Sequence, residues 1–213
     1  MQKLVLFIFF TSLIHFTGIA QTDRSIHALI DKVPLKQLPF CSSYTTEEIE
    51  KLNQNFSSDK IIAQNEDTTL KDHALFYENI LDRDPELKLT ETLLKKHLLF
   101  ADEQLTTNTA IGNYTIYFGE AFVIDQPSYY ALIIEKLSIS NGYLTSEKYF
   151  CTLTREGKLI EKIKVLSAGN QKSNSDSPVK ICVNADQSFL LSYANSQQKK
   201  YQVSANGKIN LTN

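Results

Sequence analysis

From about Ile111 to Leu211, apolar and polar residues alternate in short runs broken by turn residues, which is the period-two pattern of β-strands. Ser140-Asn141-Gly142, Arg155-Glu156-Gly157, Ala185-Asp186 and Asn206-Gly207 punctuate the pattern, and Asn-Gly accepts the positive φ that a tight hairpin requires. The intervening segments predict strands over 113–124, 129–139, 143–154, 158–167, 178–184, 188–194, 199–204 and 208–211, joined as an antiparallel meander. Both faces of Tyr129 to Leu137 are apolar, so that strand is expected to be central. Leu159, Ile163 and Val165 would face inward, leaving Lys158, Lys162 and Lys164 to water. Gly119 interrupts the first strand and marks a bulge or bend.

The front of the chain has a different rhythm. Every glycine beyond Gly18 lies at Gly112 or later, and helical spacing replaces alternation. Thr45-Thr46-Glu47-Glu48 has the spacing of a capping box, followed by Ile49, Leu52 and Phe56 on one helical face. A second helix is predicted over 70–81. A third is predicted from Asp84-Pro85-Glu86 to about Phe100, with an N-cap, a first-turn proline and an acid favoured by the helix dipole. Between His27 and Phe40, Pro34 and Pro39 favour extended neighbours, so an arm laid across the sheet is expected. The fold class that follows is α+β. A short N-terminal helical region, 21–110, packs on a C-terminal antiparallel meander of about seven or eight strands, 111–213, as one compact unit. Eight strands are too few for a ring of four-stranded propeller blades.

Before this comes an apolar run from Leu4 to Ile14, preceded by Lys3 and followed by Gly18 and Ala20, the layout of a secretory signal peptide over 1–20. The run is short for a membrane span, and no cysteine follows it where a lipoprotein requires one. The expected location is therefore periplasmic or secreted. Val33-Pro34, Leu38-Pro39-Phe40 and Glu156-Gly157-Lys158-Leu159-Ile160 resemble short motifs that recur in small exported proteins and lipoproteins of Bacteroidota type. That resemblance implies export and a β-rich fold, and carries no activity or catalytic residues with it.

Charge and cysteines narrow the picture. Residues 21–110 hold 10 basic and 16 acidic side chains, and 111–213 hold 11 basic and 8 acidic, so the mature chain is mildly acidic and gives no footing for nucleic-acid binding. The acidic front is expected to dock on the basic sheet. An exported chain with three cysteines has room for one internal disulfide. Cys151 and Cys182 both fall in predicted strands and are the candidate pair, while Cys41 follows Pro39-Phe40 in an irregular stretch. Three buried free thiols are the alternative.

Candidate chemistry is sparse. Nucleophile elbow, phosphate-binding glycine loop, zinc-protease and Cys-x-x-Cys motifs are all absent, so no catalytic, cofactor or metal residues are assigned. His27, His73 and His97 are far apart in sequence, and the acidic group Asp82, Asp84 and Glu86 reads as a helix start. Eight of ten tyrosines lie at Tyr114 or later. Tyr129, Tyr130, Tyr143 and Tyr149 occupy neighbouring strands and form the candidate binding face, with the polar stretch Ser167 to Ser177 as a candidate loop. The function expected is an exported, non-catalytic module that binds a protein or small ligand. The alternatives are an inhibitor or immunity-like partner of a secreted enzyme, and an extracytoplasmic hydrolase whose site assembles only in the fold.

Overall fold

The computed structural model describes residues 26–53, 87–89, 113–140, 143–169 and 176–212. The expected signal peptide, the helices over 70–81 and 84–100 (save 87–89), Phe56, His73, His97, the Asp82 to Glu86 group and the middle of the Ser167 to Ser177 stretch lie outside them.

The described chain is β-rich. In order it forms α1 (Ile26–Ile30), β1 (Phe40–Ser43), α2 (Thr46–Leu52), β2 (Asn113–Asp125), β3 (Tyr129–Ser140), β4 (Tyr143–Thr154), β5 (Leu159–Gly169), β6 (Pro178–Val183), β7 (Ser188–Tyr193), β8 (Gln198–Val203) and β9 (Ile209–Thr212). All eight strands predicted from alternation are present. They do not make one meander, however. The chain divides after β5 into a four-stranded antiparallel sheet, β2-β3-β4-β5, and a five-stranded antiparallel sheet, β1-β6-β7-β8-β9.

The division follows from what each face must cover. Ile124, Tyr129, Ala131, Ile133, Phe150 and Val165 of the first sheet pack face to face with Ile181, Val183, Phe189, Leu191 and Val203 of the second. The opposite face of the first sheet, carrying Tyr130, Leu132, Ile134, Tyr149, Cys151 and Leu153, is covered by Ile26, Leu29 and Val33 of the front arm and by Leu89. Strand β3 is thus buried on both sides, as its two apolar faces predicted. The arm anchors at two levels: Val33 on the outer core, then Leu38 and Phe40 against the inter-sheet core.

Two bulges redirect side chains. Pairing of β2 with β3 skips Glu120, between Gly119↔Ile134 and Ala121↔Ile133. A Cβ on Gly119 would come within 2.8 Å of Val33 Cγ2, so the missing side chain there is what lets the arm approach. In β5, Leu153↔Leu159 is followed by Thr152↔Glu161, and this shift moves Leu159 to the outer core while Ile163 and Val165 stay between the sheets. The expectation that all three share a face fails on that one extra residue.

The capping box forms as its spacing predicts. Thr45 Oγ1 accepts from Glu48 N at 3.1 Å, and Thr45 N donates to Glu48 Oε2 at 2.8 Å. Of the predicted apolar face, Leu52 is buried and Ile49 is exposed, because α2 lies on the sheet only through its last turn.

Candidate functional site

Three of the four tyrosines expected on a binding face, Tyr129, Tyr130 and Tyr149, are buried. Tyr129 is 1% exposed and sits between the sheets, with its hydroxyl donating to Gln187 Oε1 at 2.8 Å; burial raises its pKa. Tyr130 and Tyr149 point to the other face of the first sheet and are buried there. Tyr130 lies edge-on to His27 at 5.9 Å with the Arg155 guanidinium 3.8 Å from its ring centre. The Tyr149 hydroxyl donates to Glu147 Oε2 at 2.8 Å. Tyr143 pairs with Ser140 in the β3–β4 ladder. Successive tyrosines in a strand face opposite ways, so a centrally placed strand hides both.

The disulfide also differs. Cys182 is bonded to Cys41, its register partner in the β1–β6 ladder, and not to Cys151. Cys151 belongs to the other sheet and is a free, fully buried thiol, whose pKa burial pushes up to about 12 against the opposing charge of Lys162. That keeps it protonated and unreactive. The stretch read as irregular is an edge strand, and this nonlocal pairing selects Cys41.

A polar cluster that the sequence did not suggest lies in the inter-sheet layer near α2. Ser146 and Lys148 alternate with outward residues of β4, and Glu135 stands opposite Lys148 on β3. Glu135, Ser146 and Lys148 are all buried. Ser146 Oγ donates to Glu135 Oε1 at 2.5 Å and lies 2.7 Å from the Tyr44 hydroxyl. Lys148 Nζ pairs with Glu120, the bulged residue of β2, and sits 4.8 Å from the centre of the Tyr44 ring. The bulge therefore has a definable role: it supplies the carboxylate that neutralises a buried ammonium. Serine, lysine and carboxylates are neighbours here, and Glu135, Ser146 and Lys148 are each buried and engaged, while the Glu120 side chain is partly exposed.

On the outer side of the first sheet, Glu147 receives Lys164 and Tyr149, with Lys136 at 4.0 Å. Burial works to raise the Glu147 pKa, but the hydrogen bonds from Lys164 and Tyr149 and the charges of Lys164 and Lys136 outweigh it and hold the carboxyl below its usual value. Among the described residues, no group of three or more His, Cys, Asp or Glu side chains is placed to hold a metal ion.

Among the described residues, an accessible aromatic ledge lies on β7, β8 and β9. Phe150, Phe189 and Tyr201 stack outward from the core, at 4.8 Å and 28° and then at 5.1 Å and 12°. Tyr201 ends the stack half-buried, and its cross-strand partner Leu211 is 58% exposed. Tyr193 lies nearby, with Lys199 Nζ 5.1 Å from its ring centre. Burial raises the Tyr201 pKa, as does its contact with Tyr193. Between Pro178 and Thr212 the charged residues are Lys180, Lys199, Lys200 and Lys208 against Asp186 alone. Asp186 is engaged by Ser188, whose backbone N and hydroxyl donate at 3.0 and 2.6 Å and lower its pKa. The ledge was missed because Tyr201 stands between Lys199-Lys200 and Gln202, so the alternation that marks β8 as a strand does not mark an apolar patch on it. Its one signal was an isolated tyrosine among lysines.

No protein-family model matches this chain, and no curated protein or solved structure matches it either.

Proposed function

We propose that this chain is an exported, non-catalytic binding module that holds an acidic segment of a protein partner against the Tyr193–Tyr201–Leu211 ledge. The observation that carries the reading is Leu211, a large apolar side chain left exposed beside a stacked tyrosine on a strand bordered by lysines. Aromatic and aliphatic anchors with the Lys199 ammonium beside them favour a partner that brings a carboxylate and an apolar contact of its own. An inhibitor or immunity-like partner of a secreted enzyme is one form such a module takes. Export is supported by the Cys41–Cys182 disulfide and by the Leu4 to Ile14 run, and the resemblance to Bacteroidota-type exported proteins points the same way. Among the described residues no helix is long and apolar enough to cross a membrane. The helical character expected for the rest of 21–110 belongs to this reading as well, as a cover for the first sheet.

The test is capture from the native extracytoplasmic fraction with three baits: the unaltered protein, Tyr201→Ala and Leu211→Asp. Far-UV circular dichroism checks the fold of each. The expected outcome is a partner retained by the unaltered bait, released as salt rises, and lost from both variants, each anchor being worth roughly 1–3 kcal/mol. A partner retained equally by all three baits would overturn the ledge as the binding surface.

A further inference from the structure

We propose that the Cys41–Cys182 disulfide is a redox clamp whose reduction by an external dithiol frees β1 and Tyr44 and uncovers the buried Glu135–Ser146–Lys148 cluster. The proposal goes beyond binding at the ledge, which lies on other strands of the sheet. Cys41 is exposed and Cys182 half-buried, on the face of the five-stranded sheet turned away from the core, so a thiolate can reach the Cys41 sulfur. Strand β1 is four residues long and lies at the edge of its sheet, and among the described residues its ladder is with β6 alone. Three residues beyond Cys41, the Tyr44 ring covers the Lys148 ammonium and its hydroxyl meets Ser146. The bond thus fixes the segment that serves as lid over a charged pair in the inter-sheet layer.

The exchange balances without any further reactant. A thiolate of the dithiol attacks Cys41 Sγ, the Cys41–Cys182 bond breaks, and Cys182 leaves as a thiolate that takes up a proton. The second thiol of the reductant then attacks its own sulfur in the mixed disulfide and releases Cys41 as a thiol. Two electrons pass from the dithiol, which becomes a disulfide, to the protein, which gains two thiols. After this, β1 is held by a short edge ladder and by the partial burial of Leu38 and Phe40, the kind of element that opens locally before the rest of a fold. Lys148, Ser146 and Glu135 would then meet solvent as a newly exposed polar surface.

Labelling the whole folded protein with and without dithiothreitol tests this. Without reductant, iodoacetamide should modify none of the three cysteines. With it, Cys41 and Cys182 should alkylate while Cys151 stays protected, and amine labelling of Lys148, read by peptide mass spectrometry, should quicken about tenfold or more. The double variant Cys41→Ser/Cys182→Ser should label quickly at Lys148 with or without reductant. Tyr44→Ala should do so with the disulfide intact. Three reactive thiols before reduction would remove the bond. Alkylation of Cys151 together with the other two would mean global unfolding, and a Lys148 rate unchanged by reduction or by Tyr44→Ala would remove the lid. Any of these results overturns the clamp.

Discussion

Ser196 and Gln187 occupy the same place in their hairpins as Gly157 and Gly207 do in theirs. In each turn the first residue's N–H reaches the carbonyl of the fifth, and the fourth residue's N–H reaches back to the first, as in Thr154 to Lys158, Asn184 to Ser188, Tyr193 to Gln197 and Ser204 to Lys208. The fourth residue has φ of 84°, 65°, 64° and 81° in turn. Only two of the four are glycine, so at the others an L side chain occupies the left-handed region at a cost. Gln187 has an offsetting contact, since its amide oxygen accepts from Tyr129. The exposed Ser196 is the better position to relieve. Ser196→Gly is expected to stabilise the protein by about 0.5–1 kcal/mol, read as a higher urea midpoint at an unchanged m-value. A lowered midpoint would show that the strain is offset elsewhere. The two glycine turns were legible in the sequence because glycine advertises positive φ. The Ala185-Asp186 turn was legible as well, but the positive φ of Gln187 and Ser196 was not, because glutamine and serine adopt it only when the flanking strands impose it.

Among the elements, α2 is the one whose start is written most locally. Its reciprocal Thr45–Glu48 bonds involve residues three apart, and Glu47 and Lys51 add an i,i+4 pair at 2.9 Å on an exposed face. Thr45→Ala should cost about 1 kcal/mol in thermal or chemical denaturation, while the pair with Lys51 contributes only a few tenths. No loss of stability in that variant would mean that Leu52, fully buried at the other end, holds the helix without its cap. Strand β1 is the contrasting case. Phe40-Cys41-Ser42-Ser43 is short, carries no alternation that marks it as a strand and follows a proline, yet it pairs at four positions with β6. Its identity as a strand comes from an available edge some 140 residues away in sequence.

At the scale of the whole molecule, the two sheets share one core, and the Phe150–Phe189 stack crosses it. Phe189→Ala should therefore destabilise both sheets together, by roughly 3–5 kcal/mol. Unfolding followed by circular dichroism and by alkylation of Cys151, which lies in the other sheet, should show one coincident transition. Two separated transitions would mean that each sheet is a unit of its own. The sequence by itself determined the positions of the eight C-terminal strands, the glycine turns, the two-faced burial of β3 and the α2 cap. All of these depend on neighbours within a few residues, through side-chain alternation, backbone φ and hydrogen bonds across a single turn. Only the tertiary structure decided that the meander breaks into two facing sheets, that Cys41 and not Cys151 meets Cys182, and that Tyr129, Tyr130 and Tyr149 are buried while Tyr201 borders an exposed ledge. It also placed a lysine and two glutamates in the inter-sheet layer. Each of these outcomes depends on which distant surface covers which face, and the period of a strand gives its two faces without saying what will pack on either.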